Sequence, residues 1–352
     1  MKTGLLKKLV LGAASGILFI AVTGTFAHPV MYDFDGDGKS DLIVKRRSGA
    51  NLPWSWFINQ STAGPVYAEW GFEYTTGTIR DLEFMGDYDG DGKWDLTVLR
   101  RDLNGGAILW YVLRSSTGTL QVMNWGLTFS DITVPQDYDG DGKMDFAVAR
   151  ANGSPGSNGS FVWYILRSGD GQVQTDLFGT VDDFPLLGGD YDGDHKADLA
   201  IVRAATTGAF PPPDPIPMTL YLKLSSDGSW RVYPLGDGRE TRVISGDYDG
   251  DGRSDVAVWK PNGLWMWLRS SDNQWQGVNF GISADQPVLG DYDGDGKSDP
   301  AVYRVNGQDC NDGLQNYYYI MQSRDGVRIV PWGAGCDFPA HDHYQNHGAL
   351  LF

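Results

Sequence analysis

An acidic nonapeptide of the form Asp-aromatic-Asp-Gly-Asp-Gly-basic-x-Asp occurs six times in this chain, and each copy runs straight into a short apolar stretch ending in Arg or Lys. The copies begin at Asp33, Asp87, Asp137, Asp190, Asp247 and Asp291, spaced by 54, 50, 53, 57 and 44 residues. A repeat of this length is one supersecondary unit that buries its apolar face against copies of itself, which excludes two or three unrelated domains.

Within one copy the chemistry is legible. Asp87, Asp89 and Asp91 alternate with Tyr88 and Gly90, so three carboxylates converge while the residues between them point away. Gly92 permits the sharp turn, the carbonyl of Lys93 can supply a backbone oxygen, and Asp95 closes the cage at the ninth position. Five or six oxygens around a hard cation predict calcium; magnesium wants fewer protein ligands, and zinc or copper would want His and Cys. The same reading assigns Asp33, Asp35, Asp37, Lys39 and Asp41 to the first loop and Asp137, Asp139, Asp141, Lys143 and Asp145 to the third. It assigns Asp190, Asp192, Asp194, Lys196 and Asp198 to the fourth, Asp247, Asp249, Asp251, Arg253 and Asp255 to the fifth, and Asp291, Asp293, Asp295, Lys297 and Asp299 to the sixth. About six calcium ions are therefore expected. The fourth loop ranks last, because His195 stands where the others have Gly. The alternative is an acidic turn that binds nothing, but four carboxylates in nine residues repel one another without a cation, and the pattern recurs six times. These loops match an EF-hand at positions one, three, five and seven and then depart from it. Asp95 is followed by the strand-like Leu96-Thr97-Val98-Leu99-Arg100 rather than by a helix closing on Glu.

Charge agrees. The formal net charge is −17, and the six loops hold 24 of the 45 acidic residues, leaving 21 against 28 basic ones. The acidity reports loops rather than an acidic tail, and no basic stripe supports nucleic-acid binding.

Residues 1–27 are predicted to be a signal peptide: Lys2, Lys7 and Lys8 precede an apolar core from Leu9 to Val22, and Thr25-Phe26-Ala27 forms a cleavage site ahead of His28. Export to a secreted or periplasmic location follows, and calcium is plentiful outside cells. No later run reaches the ~20 apolar residues of a membrane span.

Residues 28–352 read as one domain of six units, each with four short strands. In the third, Ile132–Pro135 precedes the acidic loop, Phe146–Arg150 follows it, Phe161–Arg167 is third, Ser168–Gly171 turns, and Val173–Gly179 is fourth. Four antiparallel strands repeated around an axis predict an all-β, six-bladed β-propeller with the acidic loops between strands one and two. Seven blades is the alternative. The tail from Asp337 to Phe352 looks like the opening of a further unit, Phe338-Pro339 matching Phe184-Pro185, but it lacks the acids. The expectation is six blades, with this degenerate segment reinforcing the closure between first and last.

The signature Asp-Tyr-Asp-Gly-Asp-Gly-Lys-x-Asp, followed by strands such as Leu199-Ala200-Ile201-Val202-Arg203, resembles the FG-GAP or VCBS-type repeat of integrin α-subunit propellers and many exported bacterial proteins. A companion aromatic-Gly pair recurs as Trp70-Gly71, Trp125-Gly126, Phe178-Gly179, Phe280-Gly281 and Trp332-Gly333, with Leu235-Gly236 the exception. The resemblance spans about residues 29 to 340 and implies a fold; propellers host unrelated activities.

Strand parity separates two faces. The acidic loops share one with the near-identical turns Ser115–Gly118, Ser168–Gly171, Ser225–Gly228 and Ser323–Gly326. The opposite face is irregular, including Pro211-Pro212-Pro213 and the Cys310 segment, and is the candidate binding face; unconstrained drift of loops is the bland alternative. Aromatics such as Trp54, Trp56, Trp110, Tyr111, Trp163, Tyr164, Trp265 and Trp267 cluster on strand three and are read mostly as core. Arg46, Arg100, Arg150, Arg203, Lys260 and Arg304 recur once per blade and are read as structural.

No nucleophile elbow, zinc-protease helix or phosphate loop appears. Two-carboxylate chemistry stays open through Glu69, Glu73, Glu83, Asp131, Asp182 or Glu240. The expected function is a non-catalytic binding or adhesion module for carbohydrate or a surface protein, with a polysaccharide lyase or hydrolase, or a pure scaffold, as alternatives. Cys310 and Cys336, the sole cysteines of an exported chain, are expected to form a disulfide. His341, His343 and His347 crowd the tail near an expected new terminus at His28; such a set suits copper, nickel or zinc, but solvated histidines of a degenerate loop are the preferred reading.

Overall fold

The computed structural model describes residues 30–47, 49, 52–72, 81–102, 104, 106–204, 216–238, 241–307 and 309–340. The signal segment, His28, the tail histidines, the Pro211-Pro212-Pro213 stretch, Glu73 and Glu240 lie outside them.

The described strands form six sheets of four, each antiparallel throughout. Blade three runs Asp131–Thr133, Phe146–Ala151, Ser160–Leu166 and Val173–Thr180, within two residues of the sequence reading at every boundary. Blade one completes the ring. Its inner strand is Phe338–Pro339 from the far end of the chain, laid antiparallel on Leu42–Arg47 so that Val44 faces Pro339. Six blades close with the segment after Asp337 as the fastener, and the seven-bladed alternative falls.

The core lies between blades. On strand three, alternate side chains are fully buried, as in Ile108, Trp110 and Val112, while their neighbours are only half-buried. Trp56, Trp110, Trp163 and Trp265 occupy one register and each has 0% exposure. Each indole N–H donates to the backbone carbonyl of the aromatic residue in its blade's aromatic-Gly pair, for example Trp110 Nε1 to Trp125 O at 2.8 Å and Trp163 Nε1 to Phe178 O at 3.0 Å. A buried indole needs such an acceptor. The glycine supplies the bend, with φ of 107° at Gly126 and a strand register that shifts between Ala107 and Leu109. Blade four changes both partners together: Leu220 replaces the Trp, and Leu235 replaces the aromatic ring.

The recurring bases are clamps. Arg46, Arg100, Arg150, Arg203 and Arg304 each form a two-pronged ion pair with the buried Asp337, Asp81, Asp131, Asp183 or Asp285, at 2.6 to 2.9 Å. That Asp directly precedes strand one of its blade, or opens it in blade three, and it also accepts an N–H from the end of a strand four, such as Leu127 N to Asp131 at 2.7 Å. One carboxylate thereby joins strand two to the start of strand one and the end of strand four. Each guanidinium also covers a strand-three ring, as Arg203 covers Tyr221 at 4.6 Å. Blade five carries Thr241, Lys260 and Met266 at these three positions.

Candidate metal centres

The acidic loops join strand one to strand two, as expected, and are tied to one another around the axis. The position-eight N–H of each loop donates to the position-one carbonyl of the preceding loop: Trp94 to Asp33, Met144 to Asp87, Ala197 to Asp137, Ser254 to Asp190, Ser298 to Asp247 and Ser40 to Asp291, all between 2.5 and 2.7 Å. The last of these closes the circle. The position-seven side chain also lies over the preceding loop's position-four glycine, where a Cβ at Gly250 would stand 2.7 Å from Lys297 and one at Gly90 2.8 Å from Lys143. The positive φ favours glycine there, and a Cβ would also make the overlying basic side chain shift.

Inside each loop the carboxylates organise the backbone. Asp87 accepts Gly90 N–H on Oδ1 at 2.6 Å and Gly92 N–H on Oδ2 at 2.8 Å. The same pair of bonds recurs at Asp33, Asp137, Asp247 and Asp291. In the fourth loop His195 adopts φ 68° and donates its N–H to Asp190 Oδ2 at 2.9 Å, doing what glycine does elsewhere. The hydrogen bond is kept, at a positive φ that a Cβ disfavours, which is the ground on which this loop ranks last. The position-seven N–H donates to the position-five carboxylate, as Lys93 does to Asp91 at 2.9 Å.

The position-nine Asp is the buried keystone. Asp95 accepts Tyr88 N–H on Oδ2 at 2.9 Å and Ser115 N–H on Oδ1 at 2.6 Å, leaving each oxygen a further lone pair. Ser61, Ser168, Ser225, Ser270 and Ser323 cap the other loops in the same way. The serine hydroxyl then binds position five, Ser115 Oγ to Asp91 at 2.9 Å, and the next residue binds position three, Ser116 Oγ to Asp89 at 2.5 Å. These serines begin the three-to-four turns, so the turn and the loop form one site. Sequence reasoning placed both on one face and noted that the turns were copies, yet missed the serines as site residues; their recurrence was the signal.

Ligand-capable oxygens come within 4.8 Å of one another in the sets Asp33, Asp35, Asp37; Asp87, Asp89, Asp95; Asp137, Asp139, Asp145; Asp190, Asp192, Asp194; and Asp247, Asp249, Asp251. Positions one and three converge in all five, joined by position five in three loops and by position nine in two. Asp91 and Asp141 stand outside their loops' trios.

Two observations fit a cation. Oδ1 of Asp35, Asp89 and Asp293 is buried and receives no hydrogen bond among the described residues. An anionic oxygen desolvated without a partner is costly, and a hard cation is the partner this donor set suits. Burial also pushes the position-nine carboxyls up, to about 7 at Asp41, Asp145, Asp198 and Asp299 and about 6 at Asp95 and Asp255, with neighbouring carboxylates adding to the rise. Nearby positive charge would hold them ionised.

Of the carboxylates considered for catalysis, the four among the described residues each have a partner. Asp131 clamps Arg150, Glu83 is buried in an ion pair with Lys45, Asp182 accepts Gly156 N–H at 2.7 Å, and Glu69 accepts the Tyr67 hydroxyl at 2.7 Å.

Fold and loops together define a six-bladed β-propeller with an acidic loop in every blade. Residues 247–302, from the fifth acidic loop through the sixth, match the family described as FG-GAP-like repeat. A search among curated proteins finds no match. Among solved structures, the chain is similar to the fucose-recognising six-bladed lectin of the fungus Aleuria aurantia, at 12% identity over 89% of this chain and 98% of that one, with a TM-score of 0.41. It is also similar to AofleA from Arthrobotrys oligospora, at 11% identity over 89% and 90% of the two chains, with a TM-score of 0.41. Similarity this loose carries no argument about what the chain binds. No described helix is long and apolar enough to cross a membrane.

Proposed function

We propose that this chain is an exported, calcium-stabilised propeller that binds carbohydrate without transforming it. The observation that carries the reading is how the acids are used: four per acidic loop, five more in arginine clamps, and Glu83 in an ion pair. Calcium is the proposed ion, held by the Asp carboxylates of each loop, and its chemistry is that of a structural charge. Exposed rings on outer strands, Tyr67 and Trp230, favour a sugar over a purely structural role. A glycan array run in calcium beside a polysaccharide-degradation screen tests this, with retention of a glycan and no chain shortening expected. Release of reducing ends or unsaturated products would establish the lyase or hydrolase alternative, and capture of a surface protein with no glycan retained would favour adhesion.

The acids also set a pH dependence. A carboxyl whose folded pKa is near 7, against an ordinary 3.8, binds protons more tightly in the folded state. Metal-free protein should therefore lose stability as pH rises from about 4 to 7, while calcium, which needs the ionised form, should bind more tightly over the same range. The gap between melting temperatures with and without calcium should widen from pH 5 to pH 7.5 in a buffer series; a constant gap would disconnect these carboxyls from the ion.

A single loop can be tested with Asp89→Ala, which removes the acid whose Oδ1 is buried and unpartnered. One calcium per chain should be lost by equilibrium dialysis. Stability in calcium should fall by roughly 2–3 kcal/mol, one site's share at a hundredfold excess of ligand, with a smaller change in metal-free protein.

A further inference from the structure

The repeat sets corresponding residues at the six blade junctions of the outer rim, and the junction between blades three and four is the one that carries two charges in place of apolar side chains. By the register of the repeat, the residue two before the aromatic-Gly pair, on strand four of one blade, is set against the end of strand three of the next, as Met123 and Leu166 share a cluster and Asp176 and Lys223 an ion pair. Those strand-four residues are Ala68, Met123, Tyr233, Val278 and Val330 in five blades and Asp176 in blade three. The facing strand-three residue is Leu113, Leu166, Leu268 or Met321 in four blades, Asn59 in blade one, and Lys223 in blade four. Between blades two and three, Met123 and Leu166 pack into one hydrophobic cluster. Between blades three and four that apolar contact is replaced by an ion pair from Lys223 Nζ to Asp176 Oδ1, with side chains 21% and 29% exposed. Partly desolvating a charge pair where an apolar pair serves elsewhere is not the more stable choice by default, so stability alone does not account for it.

An exposed ring adjoins the ion pair. Trp230, paired with Lys223 in the sheet, is 61% exposed. Its ring meets that of Phe178 at 86° with centroids 5.2 Å apart, and Phe178 itself is buried at 1%. Phe178 holds the indole from one side and leaves much of it to solvent. The rim thus offers an aromatic platform beside a carboxylate and an ammonium held together.

We infer that the outer groove between blades three and four, formed by Trp230, Phe178 and the Asp176–Lys223 pair, is a saccharide site for a neutral hexopyranose within an oligosaccharide. The C–H face of a pyranose is apolar and stacks on an indole, while its ring hydroxyls are both donors and acceptors. Asp176 accepts from one hydroxyl and Lys223 donates to its neighbour, and the pair carries no net charge with which to select an acidic sugar. This assignment rests on the carbohydrate reading above and adds its location and ligand class.

The test compares wild type in calcium with three variants on an array of neutral glucose-, galactose- and mannose-based oligosaccharides and of uronate-containing ones, followed by calorimetry on the strongest neutral ligand. Trp230→Ala should weaken binding at least tenfold. Asp176→Val combined with Lys223→Leu, which installs the kind of apolar pair used by other grooves, should do the same while the melting temperature stays at or above that of wild type. Trp275→Ala, at the first strand-four position of blade five, should leave affinity unchanged. If wild type binds a neutral glycan and both the Trp230 and the ion-pair variants bind it equally well, the site assignment fails and the carbohydrate reading stands. Wild type that binds no saccharide overturns both. Selective binding of uronates overturns the ligand class.

Discussion

Stripping calcium from the folded protein is expected to lower its melting temperature by about 15 °C or more. A cation that binds the native cage and not the unfolded chain stabilises by mass action, about 2.7 kcal/mol per site at a hundredfold excess over the dissociation constant. Six independent sites at that occupancy would reach roughly 16 kcal/mol, and two-thirds of that is still about 11 kcal/mol, with each kcal/mol worth roughly 1.5 °C in a domain of about 300 residues. The position-one Asp makes the effect larger than an ordinary surface site would. Its side chain organises its own loop, while its carbonyl accepts from the next loop around the ring, so disorder in one cage loosens its neighbour. Thermal unfolding in calcium, after exhaustive dialysis against chelator and after calcium is restored, measures this. An unmoved transition would mean that the loops are not structural calcium sites.

Breaking the Cys310–Cys336 bond should cost about 3–4 kcal/mol, as expected for constraining a loop of this size in the unfolded chain. The two cysteines are 26 residues apart in sequence, with Cα atoms 4.7 Å apart. Cys336 immediately precedes Asp337, which clamps Arg46 of blade one, and Phe338–Pro339 then forms that blade's inner strand. Behind them the buried Asn316 donates to the Tyr303 hydroxyl, Ala334 O and Asp337 O. The bond therefore restrains the segment that closes the ring. The Cys310→Ser, Cys336→Ser double variant should melt lower than the oxidised protein and coincide with wild type in reductant. Identical melting of oxidised and reduced wild type would refute the restraint.

Much of this architecture was readable beforehand because its signals are local. The nonapeptide, the strand after it and the turn residues all act within about fifty positions, and Phe338-Pro339 could be matched to Phe184-Pro185 by inspection. The disulfide followed from cysteine count and expected export. What escaped was the partnership of groups on different elements. Arg150 was recognisable as recurrent, but Asp131 stood among possible catalytic acids, because nothing in the spacing of 19 residues reveals that they meet across a strand pair. The serine caps escaped for a similar reason, Ser168 lying 23 residues beyond Asp145, whose Oδ1 accepts its N–H. The interloop ring is backbone to backbone and leaves no trace in residue identity at position eight, where Ser, Trp, Met and Ala all serve. Departures among the copies proved as informative as their agreement, since they single out one groove and one clamp.

The altered clamp has a consequence for how the ring opens. Blade five has Thr241 and Lys260 at the positions where the other blades pair Asp and Arg, and Thr241 Oγ1 donates to Asp237 O at 2.6 Å. Its strands are also short, four residues in Val256–Trp259 and five in Leu264–Leu268 and in Trp275–Asn279. In a closed circle of otherwise similar sectors, amide hydrogens should exchange with solvent first where the fewest ties cross between strands. Protection should therefore be lowest in the outer strand of blade five and should rise in both directions around the circle, giving a nominally six-fold molecule a preferred seam for breathing.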